Sequence, residues 1–318
     1  MGSTPLEAAK AGDEVAFAAL VQPYRRELHV HCYRITGSLD DADDVLQEVL
    51  LAAWNGLPGF GGRSSVRTWL YRIATTRSLN AVRDRRRRPH LQPAPPFDPP
   101  MPTDTFDVPH LQPYPDALLS ELDPAARAIA LESIELAFVT ALQHLPPRQA
   151  AALVLCDVLD FPIPETADML GTTSTAVKGL LQRARAATPM PEPVATSADR
   201  DPVVRRFADA FARDDVDAMV ALLTDESWLA MPPAMHRYVG QTAVGNFLRA
   251  SAAGRPGGSY VLARTQAGRR PAFVCYLQGR ARGLLVIEPD TSGEKIASLV
   301  RFLDDGLHRA VGMPDHLA

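Results

Sequence analysis

Cysteine is scarce in this chain: Cys32, Cys156 and Cys275 are the three in 318 residues. They stand far apart and form no CxxC pair, which excludes a zinc ribbon or a disulfide scaffold and fits a reducing, cytoplasmic compartment. No run of about 18 uninterrupted apolar residues occurs, so neither a transmembrane helix nor a membrane partner is expected. The N-terminal stretch MGSTPLEAAKAGDE lacks a basic start followed by an apolar run, so secretion is not expected. Excess positive charge is missing too. The formal net charge is −4, which as a total argues against a nucleic-acid partner. A total can hide a dipole, and the segments decide the point.

What is present is a globular composition, 46% hydrophobic and 22% charged, at a length that fits two or three domains. Proline marks the joints. Between Pro89 and Pro115 it recurs every few residues, which excludes helix interior and central strand. Residues 89–123 read as an extended linker and 188–199 as a second, shorter one. The remaining segments are 1–88, 124–187 and 200–318.

The first segment is helical by period. Phe17, Leu20, Val21, Tyr24 and Leu28 recur at three- and four-residue spacing. After Gly37-Ser38, Asp40 or Asp41 is placed to cap a helix running DADDVLQEVLLAAW. A glycine-rich loop, GLPGFGGRSS, leads to a third helix over 66–88. The second segment reads as helices over Ala125–Gln143, Arg148–Leu159 (entered at Pro146-Pro147) and Pro164–Leu170. Gly171 then turns the chain, and Thr173 or Ser174 caps a last helix to Ala187. The third segment opens with an amphipathic helix over Val203–Leu223. Short apolar runs bounded by Gly, Pro or Asp follow, predicting an α+β domain with a mostly antiparallel sheet.

The charge is segregated. Arg67, Arg72, Arg77, Arg83 and Arg85 to Arg88 face the single acid Asp84 in VRTWLYRIATTRSLNAVRDRRRR, whereas the preceding helix carries Asp40, Asp41, Asp43, Asp44 and Glu48. Both runs can be solvated helix faces. Phe60, Trp69 and Tyr71 interleave with the basic groups, and that combination also suits phosphates and unstacked bases. In PIPETADMLGTTSTAVKGLLQRARA, Ile163, Ala167 and Leu170 are spaced to pack on Val177 and Leu181. That is a helix-turn-helix pattern, an ordinary helical hairpin being the alternative.

In chain order, DDADDVLQEVLLAAW, F-GGRSSVRTWLYRIA and LPPRQAAALVLCDVLDFPIPETADMLGTTSTAVKGLLQRAR resemble the extracytoplasmic-function (ECF) sigma factors of the sigma-70 family. The first two blocks are similar to region 2 and the third to region 4. MPPAMHRYVGQTAVGNFL and RFLDDGLHRAVGMP resemble a C-terminal SnoaL-like (NTF2-like) domain found in one subgroup. The implied fold is multidomain: two all-α modules, region 2 and a helix-turn-helix region 4, plus a C-terminal α+β NTF2-like cone. The implied function is to direct core RNA polymerase to promoters, tuned by the C-terminal domain, without enzymatic activity, cofactor or metal.

By the same resemblance, Asp40, Asp41, Asp44, Val45, Gln47 and Glu48 meet the β and β′ subunits of core RNA polymerase. Phe60, Arg63, Ser64, Arg67, Arg72, Arg77, Asn80 and Arg83 meet the −10 element of promoter DNA. Thr173, Ser174, Thr175, Lys178, Gln182, Arg183 and Arg185 meet the −35 element. The linker runs toward the RNA exit channel, or is a plain spacer. Trp69 is a base contact or, as is commoner for an aromatic at this spacing, core. Thr76, Asn80 and Gly179 depart from residues usual in the family. In the tail, His236, Asp225, Glu226, Glu288 and His308 are the acid–base candidates, with Asp225-Glu226 in a solvated turn and His236 on a loop. Tyr238, Trp228, Met231, Phe273 and Tyr276 are core or pocket lining. The pocket is expected to be able to take a small-molecule ligand, and Arg255-Pro256-Gly257-Gly258 is read as a flexible basic loop able to reach the sigma core or DNA. A stand-alone DNA-binding regulator and an NTF2-like enzyme fused to a DNA-binding module are the competing readings.

Overall fold

A computed structural model describes residues 4–85, 87, 97–188, 202–255, 257–304 and 306–317. The chain divides into two compact units, Met1–Pro89 with Leu119–Glu192, and His90–Leu118 with Pro193–Ala318.

The first unit is all-helical. It contains α1 (Pro5–Lys10), α2 (Glu14–Thr36), α3 (Leu39–Gly56), α4 (Val66–Arg85), α5 (Pro124–Ser133), α6 (Leu136–His144), α7 (Pro147–Leu153), α8 (Ile163–Met169) and α9 (Ser174–Ala187). Ser38, and not Asp40 or Asp41, caps α3: its hydroxyl accepts the Asp41 N–H at 3.2 Å. The two aspartates occupy the first turn, where the positive helix end favours carboxylates. The helix expected over 125–143 is broken at Ile134-Glu135. Ser133 Oγ bonds back to the Ile129 and Ala130 carbonyls and also accepts from Arg34 of α2, so a side chain competes with the helical ladder. Beyond α7 the chain continues as a π-helical turn, Val154–Val158. The core of the 136–184 portion holds Phe138, Leu142, Leu153, Val154 and Ala184. This portion packs on the first: α4 touches α7 and α8, and α2 touches α5, α6 and α7. The two helical modules expected on a tether thus form one body.

The second unit is a mixed sheet with helices against it. Its elements are β1 (Asp104–Thr105), α10 (Pro202–Ala212), α11 (Val216–Ala221), β2 (Leu223–Ala230), β3 (His236–Val239), α12 (Gln241–Gly254), β4 (Val261–Ala267), β5 (Arg270–Leu277), β6 (Arg280–Pro289), β7 (Ile296–Phe302) and α13 (Leu307–Ala310). The strand order is β1-β3-β2-β7-β6-β5-β4. β2 and β7 are parallel and the other pairs antiparallel. The helix expected over 203–223 is interrupted at Asp214, which takes a φ of 54°, and restarts with Asp215 as N-cap. The core joins Phe207, Met219, Tyr238, Phe247, Phe273 and Leu299.

The expectation of an extended linker over 89–123 needs correction for its described part. Residues 97–118 belong to the second unit. Thr103, Asp104 and Thr105 lie between Pro102 and Pro109, so their N–H groups are intact, and a two-residue strand pairs Asp104 with Arg237 and Thr105 with His236. An edge position is where a Pro-flanked strand is tolerated. Tyr238 Oη donates to the Pro100 carbonyl at 2.9 Å, Phe106 N to Met235 O at 2.8 Å and Gly268 N to Tyr114 O at 2.8 Å. Phe106, Val108, Leu111 and Tyr114 are buried. Proline-rich sequence excludes helix here but does not prevent packing. Residues 119–123 lie with the helical unit, where Glu121 pairs with Arg26 at 3.0 Å. The second linker, 188–199, lies outside the described residues from 189 onward.

Candidate promoter and polymerase interface

The helix-turn-helix is built by local chemistry. Gly171 supplies the turn at a φ of +58°, a region costly for side chains. Thr173 caps α9, its hydroxyl accepting the Ala176 N–H at 3.2 Å. Arg148 Nη2 donates to Leu170 O at 2.6 Å and fastens the turn to α7. Val177, Leu181 and Ala184 form the buried stripe of α9, which touches α7 and α8, and Ala167 and Leu170 are buried as well. Thr173, Thr175, Lys178, Gln182 and Arg183 are exposed or half-buried at the surface, and Ser174 lies in the first turn. Arg185 is exposed but makes a bidentate pair with Asp157, at 2.8 and 2.7 Å. Of the −35 candidates it is the one already neutralised.

Ser65 opens α4, its hydroxyl accepting the Thr68 N–H at 3.0 Å. Arg63, Ser64 and Arg72 gather with Trp69 around a cavity of about 780 Å³ whose far wall is Glu165, Asp168 and Met169 of α8. Arg72, Asn80 and Arg83 line a neighbouring cavity of about 760 Å³ with Pro146, Arg148 and Leu170. Thr68 Oγ1 donates to Glu165 Oε2 at 3.1 Å across the same seam.

Phe60 also lines the first of these cavities, whereas Arg67 and Arg77 line neither. Phe60 is 7% exposed and packs with Ala9, Leu57 and Trp69, its ring 5.1 Å from that of Trp69. Arg67 pairs with Glu27 at 3.2 Å and stacks over Tyr71 and Phe161, at 4.8 and 4.9 Å. Arg77 faces Glu48 at 3.7 Å. Phe60 is thus largely buried at the edge of the cavity, and Arg67 is half-buried and already engaged by Glu27, Tyr71 and Phe161. Trp69 is half-buried, at once a core neighbour of Phe60 and a wall of the cavity. Arg86 and Arg88 lie outside the described residues.

On α3, Asp40, Asp44, Gln47 and Glu48 lie at the surface. Asp41 is half-buried and pairs with Arg85 Nη1 at 2.5 Å. Val45 is corrected: it is 3% exposed and belongs with Ala42, Leu46, Val49 and Ala53 to the core stripe. The i, i+3, i+4, i+7, i+11 spacing of those five residues was the available signal. Leu51, which sequence reasoning passed over, is 64% exposed and continues the Asp44, Gln47, Glu48 face. Glu27, Asp157 and Glu165 were also passed over; isolated acids give no sign in sequence of the arginine or threonine they will meet.

Beneath α4, His31 Nε2 lies 2.9 Å from Thr75 Oγ1. Burial, aided by the charges of Arg34 and Arg67, pulls its pKa down to about 3. Burial pushes the Cys32 thiol up to about 12. Both groups are neutral structural parts at neutral pH.

In the second unit the acid–base candidates do not converge. His236 begins β3 and lines a separate cavity of about 170 Å³ within the second unit, so it sits on a strand where a loop was expected. Asp225 and Glu226 lie on β2 and not in a turn. Glu288 pairs with Arg270 at 2.9 Å, and His308 with Asp315 at 2.5 Å. Tyr238, Phe273 and Tyr276 are core, Met231 lines the cavity and half-buried Trp228 carries Arg237 over its ring. Arg255, expected in a loop able to reach the sigma core or DNA, is held by Asp214 and stacks on Tyr260, and Pro256 lies outside the described residues. Among the described residues no group of His, Cys, Asp and Glu is arranged to hold a metal, and no helix is long and apolar enough to cross a membrane.

Comparison with known proteins agrees with this layout. The Sigma-70 region 2 family matches residues 20–88, the Sigma-70 region 4 family residues 135–187, and the SnoaL-like domain family residues 204–309. Those matches, in that order, describe a sigma-type architecture followed by a SnoaL-like domain. The chain is 39% identical over 313 residues to the ECF RNA polymerase sigma factor SigG of Mycobacterium tuberculosis (strain ATCC 25618 / H37Rv), across 95% of this chain and 85% of that protein. It is 33% identical over 181 residues to SigM of the same strain, across 57% of this chain and 79% of that one. The crystal structure of the Mycobacterium tuberculosis extracytoplasmic function sigma factor SigJ shares the fold, with a TM-score of 0.60 at 24% identity over 92% of this chain and 98% of that one. The chain belongs to the ECF RNA polymerase sigma factors.

Proposed function

We propose that the exposed face of α3 docks on core RNA polymerase, that α4 with its preceding loop reads the −10 element, and that α9 reads the −35 element. The observation that carries this is the division of α9. Val177, Leu181 and Ala184 are buried on one side while Thr175, Lys178, Gln182 and Arg183 lie outside that buried stripe. An anchored helix presenting hydroxyl, amide and cationic groups suits a major groove. The polymerase contacts are Asp40, Asp44, Gln47 and Glu48, joined by Leu51, where acids and an apolar group share one face. The −10 contacts are Arg63, Ser64, Arg72, Asn80 and Arg83. A protein with these partners works in the cytoplasm, as a regulator and not an enzyme.

The promoter-bound form requires the helical unit to open. Elements at −35 and −10 are about 25 base pairs apart, roughly 85 Å of duplex at ~3.4 Å per pair, whereas α4 packs directly on α7 and α8. The SnoaL-like unit, which carries the 97–118 strap and a ligand-sized cavity, is read as the tuning part.

Two variants test the assignment in reconstituted transcription. Asp44→Lys with Glu48→Lys abolishes co-purification with core polymerase while the far-ultraviolet spectrum is kept. Lys178→Ala with Arg183→Ala weakens −35 binding and lowers the salt dependence, by ~0.9 in log–log slope for each phosphate no longer neutralised. Normal promoter-specific initiation by both variants refutes the sites.

A further inference from the structure

The cavity of the second unit has an electrostatic character its apolar lining conceals. It measures about 170 Å³ and is walled by Leu229, Phe247, Leu248, Leu285 and Leu299. An apolar cavity of ~150 Å³ admits a benzene-sized guest. At one end two guanidinium groups share a single ring: Arg255 lies 4.4 Å and Arg301 5.5 Å from the centre of Tyr260.

Their situations differ. Arg255 is neutralised by Asp214, which also accepts from Ser259 Oγ at 2.7 Å. Arg301 is 7% exposed and lines the cavity, and among the described residues no carboxylate pairs with it. Two of its donors go to main-chain carbonyls, Phe302 O at 2.8 Å and Arg282 O. A guanidinium has five N–H donors, so others are available. Among the described residues no carboxylate lines the cavity either. The end of the cavity therefore holds two cations against one anion. The same positive field reaches Cys275, where both arginines oppose the upward push of burial on the thiol.

Buried charge without a counter-charge is unfavourable, and an anion of the right size relieves it. We propose that this cavity binds a small aromatic or branched monocarboxylate, its carboxylate paired with Arg301 and its apolar body between the leucines and Phe247. Ser251 and His236 stand at the wall as further polar partners. Phe97 and Pro99 complete the enclosure, with the Phe97 ring 5.7 Å from that of Phe247. A bound molecule thus touches the segment that joins region 2 to region 4. The proposal deepens the reading of this unit as the tuning part, and its test measures binding alone, so a failed transcription assay leaves it standing.

The test uses the full-length protein, titrated calorimetrically with benzoate and with benzamide, its neutral counterpart of similar shape. Benzoate is expected to bind at least about tenfold tighter, as a charge-assisted hydrogen-bonded pair implies. Arg301→Gln is expected to erase that preference while benzamide binding stays. Ser251→Phe, which fills the cavity from α12, is expected to abolish binding of both. The benzoate–benzamide comparison needs no variant, so misfolding cannot mask the outcome. Equal affinity for the two probes, no binding of benzoate at millimolar concentration, or unchanged benzoate binding in Ser251→Phe overturns the proposal.

Discussion

Gly179 sits in the interior of α9, on the helix proposed to enter the −35 major groove. Interior glycine disfavours a helix by ~1 kcal/mol relative to alanine. Space inside the protein does not require it. A Cβ at this position would meet Arg183 Nη1 at 3.5 Å and Nη2 at 3.9 Å, ordinary contacts with the far end of a flexible side chain. Its backbone is not in the left-handed region. Gly179→Ala is therefore expected to stabilise the helical unit by about 0.5–1 kcal/mol. For a unit of roughly 160 residues that raises the melting temperature by about 1–4 °C. Circular dichroism melts of the full chain read this directly. An unchanged or lower melting temperature refutes the reasoning, because it means the helix meets the added methyl with strain the contacts do not show. Fluorescence anisotropy on −35 duplex then locates the residue's purpose. A stabilised variant that binds DNA more weakly assigns the glycine to close approach of the α9 backbone to the groove.

Three further outcomes are expected. His31 titrates near ~6.5 when unfolded but only near about 3 when folded. Between those values the unfolded chain binds the extra proton. Acidification through that window then lowers stability by about 1.4 kcal/mol per pH unit from this group. Urea midpoints measured against pH should show a shallower slope in His31→Gln. Gly283 has a φ of +90° and no room, since a Cβ would stand 2.1 Å from Phe302 O. Gly283→Ala should destabilise the second unit by about 2–3 kcal/mol in chemical denaturation. Tyr238→Phe removes the bond to Pro100 O and should cost about 1 kcal/mol, with faster amide exchange around Thr103 as its signature.

The parts of the fold visible in sequence are those set by local rules. Gly171 and the Thr173 cap mark the helix-turn-helix turn because a left-handed residue and a side-chain acceptor are each specified within a few positions. The break at Ile134-Glu135 was not visible, because it depends on Arg34 reaching Ser133 from 99 positions away. The strap over 97–118 escaped for a related reason. Proline content forbids helix, yet the burial of Phe106 and Tyr114 depends on a domain assembled from residues more than a hundred positions later. In the candidate site, Asp40, Asp44 and Glu48 of α3 and Lys178 and Arg183 of α9 lie at the surface, whereas Asp41 is half-buried against Arg85. Val45 is core, Phe60 is buried at the edge of the cavity, and Arg67 meets Glu27, Tyr71 and Phe161, partners that the sequence does not point to. Inference from a net charge of −4 fails because it averages α3 with α4.

The enlistment of Asp104-Thr105 as the outer strand of the second unit bears on how such a gene can change. A domain joined only at its end can be lost or exchanged by one crossover after residue 187. Here that crossover would strand a segment whose Phe106, Val108, Leu111 and Tyr114 are buried in the intact protein. Deletion of the C-terminal domain is therefore a change in the intervening segment as well, since it removes the partner strand of Asp104-Thr105.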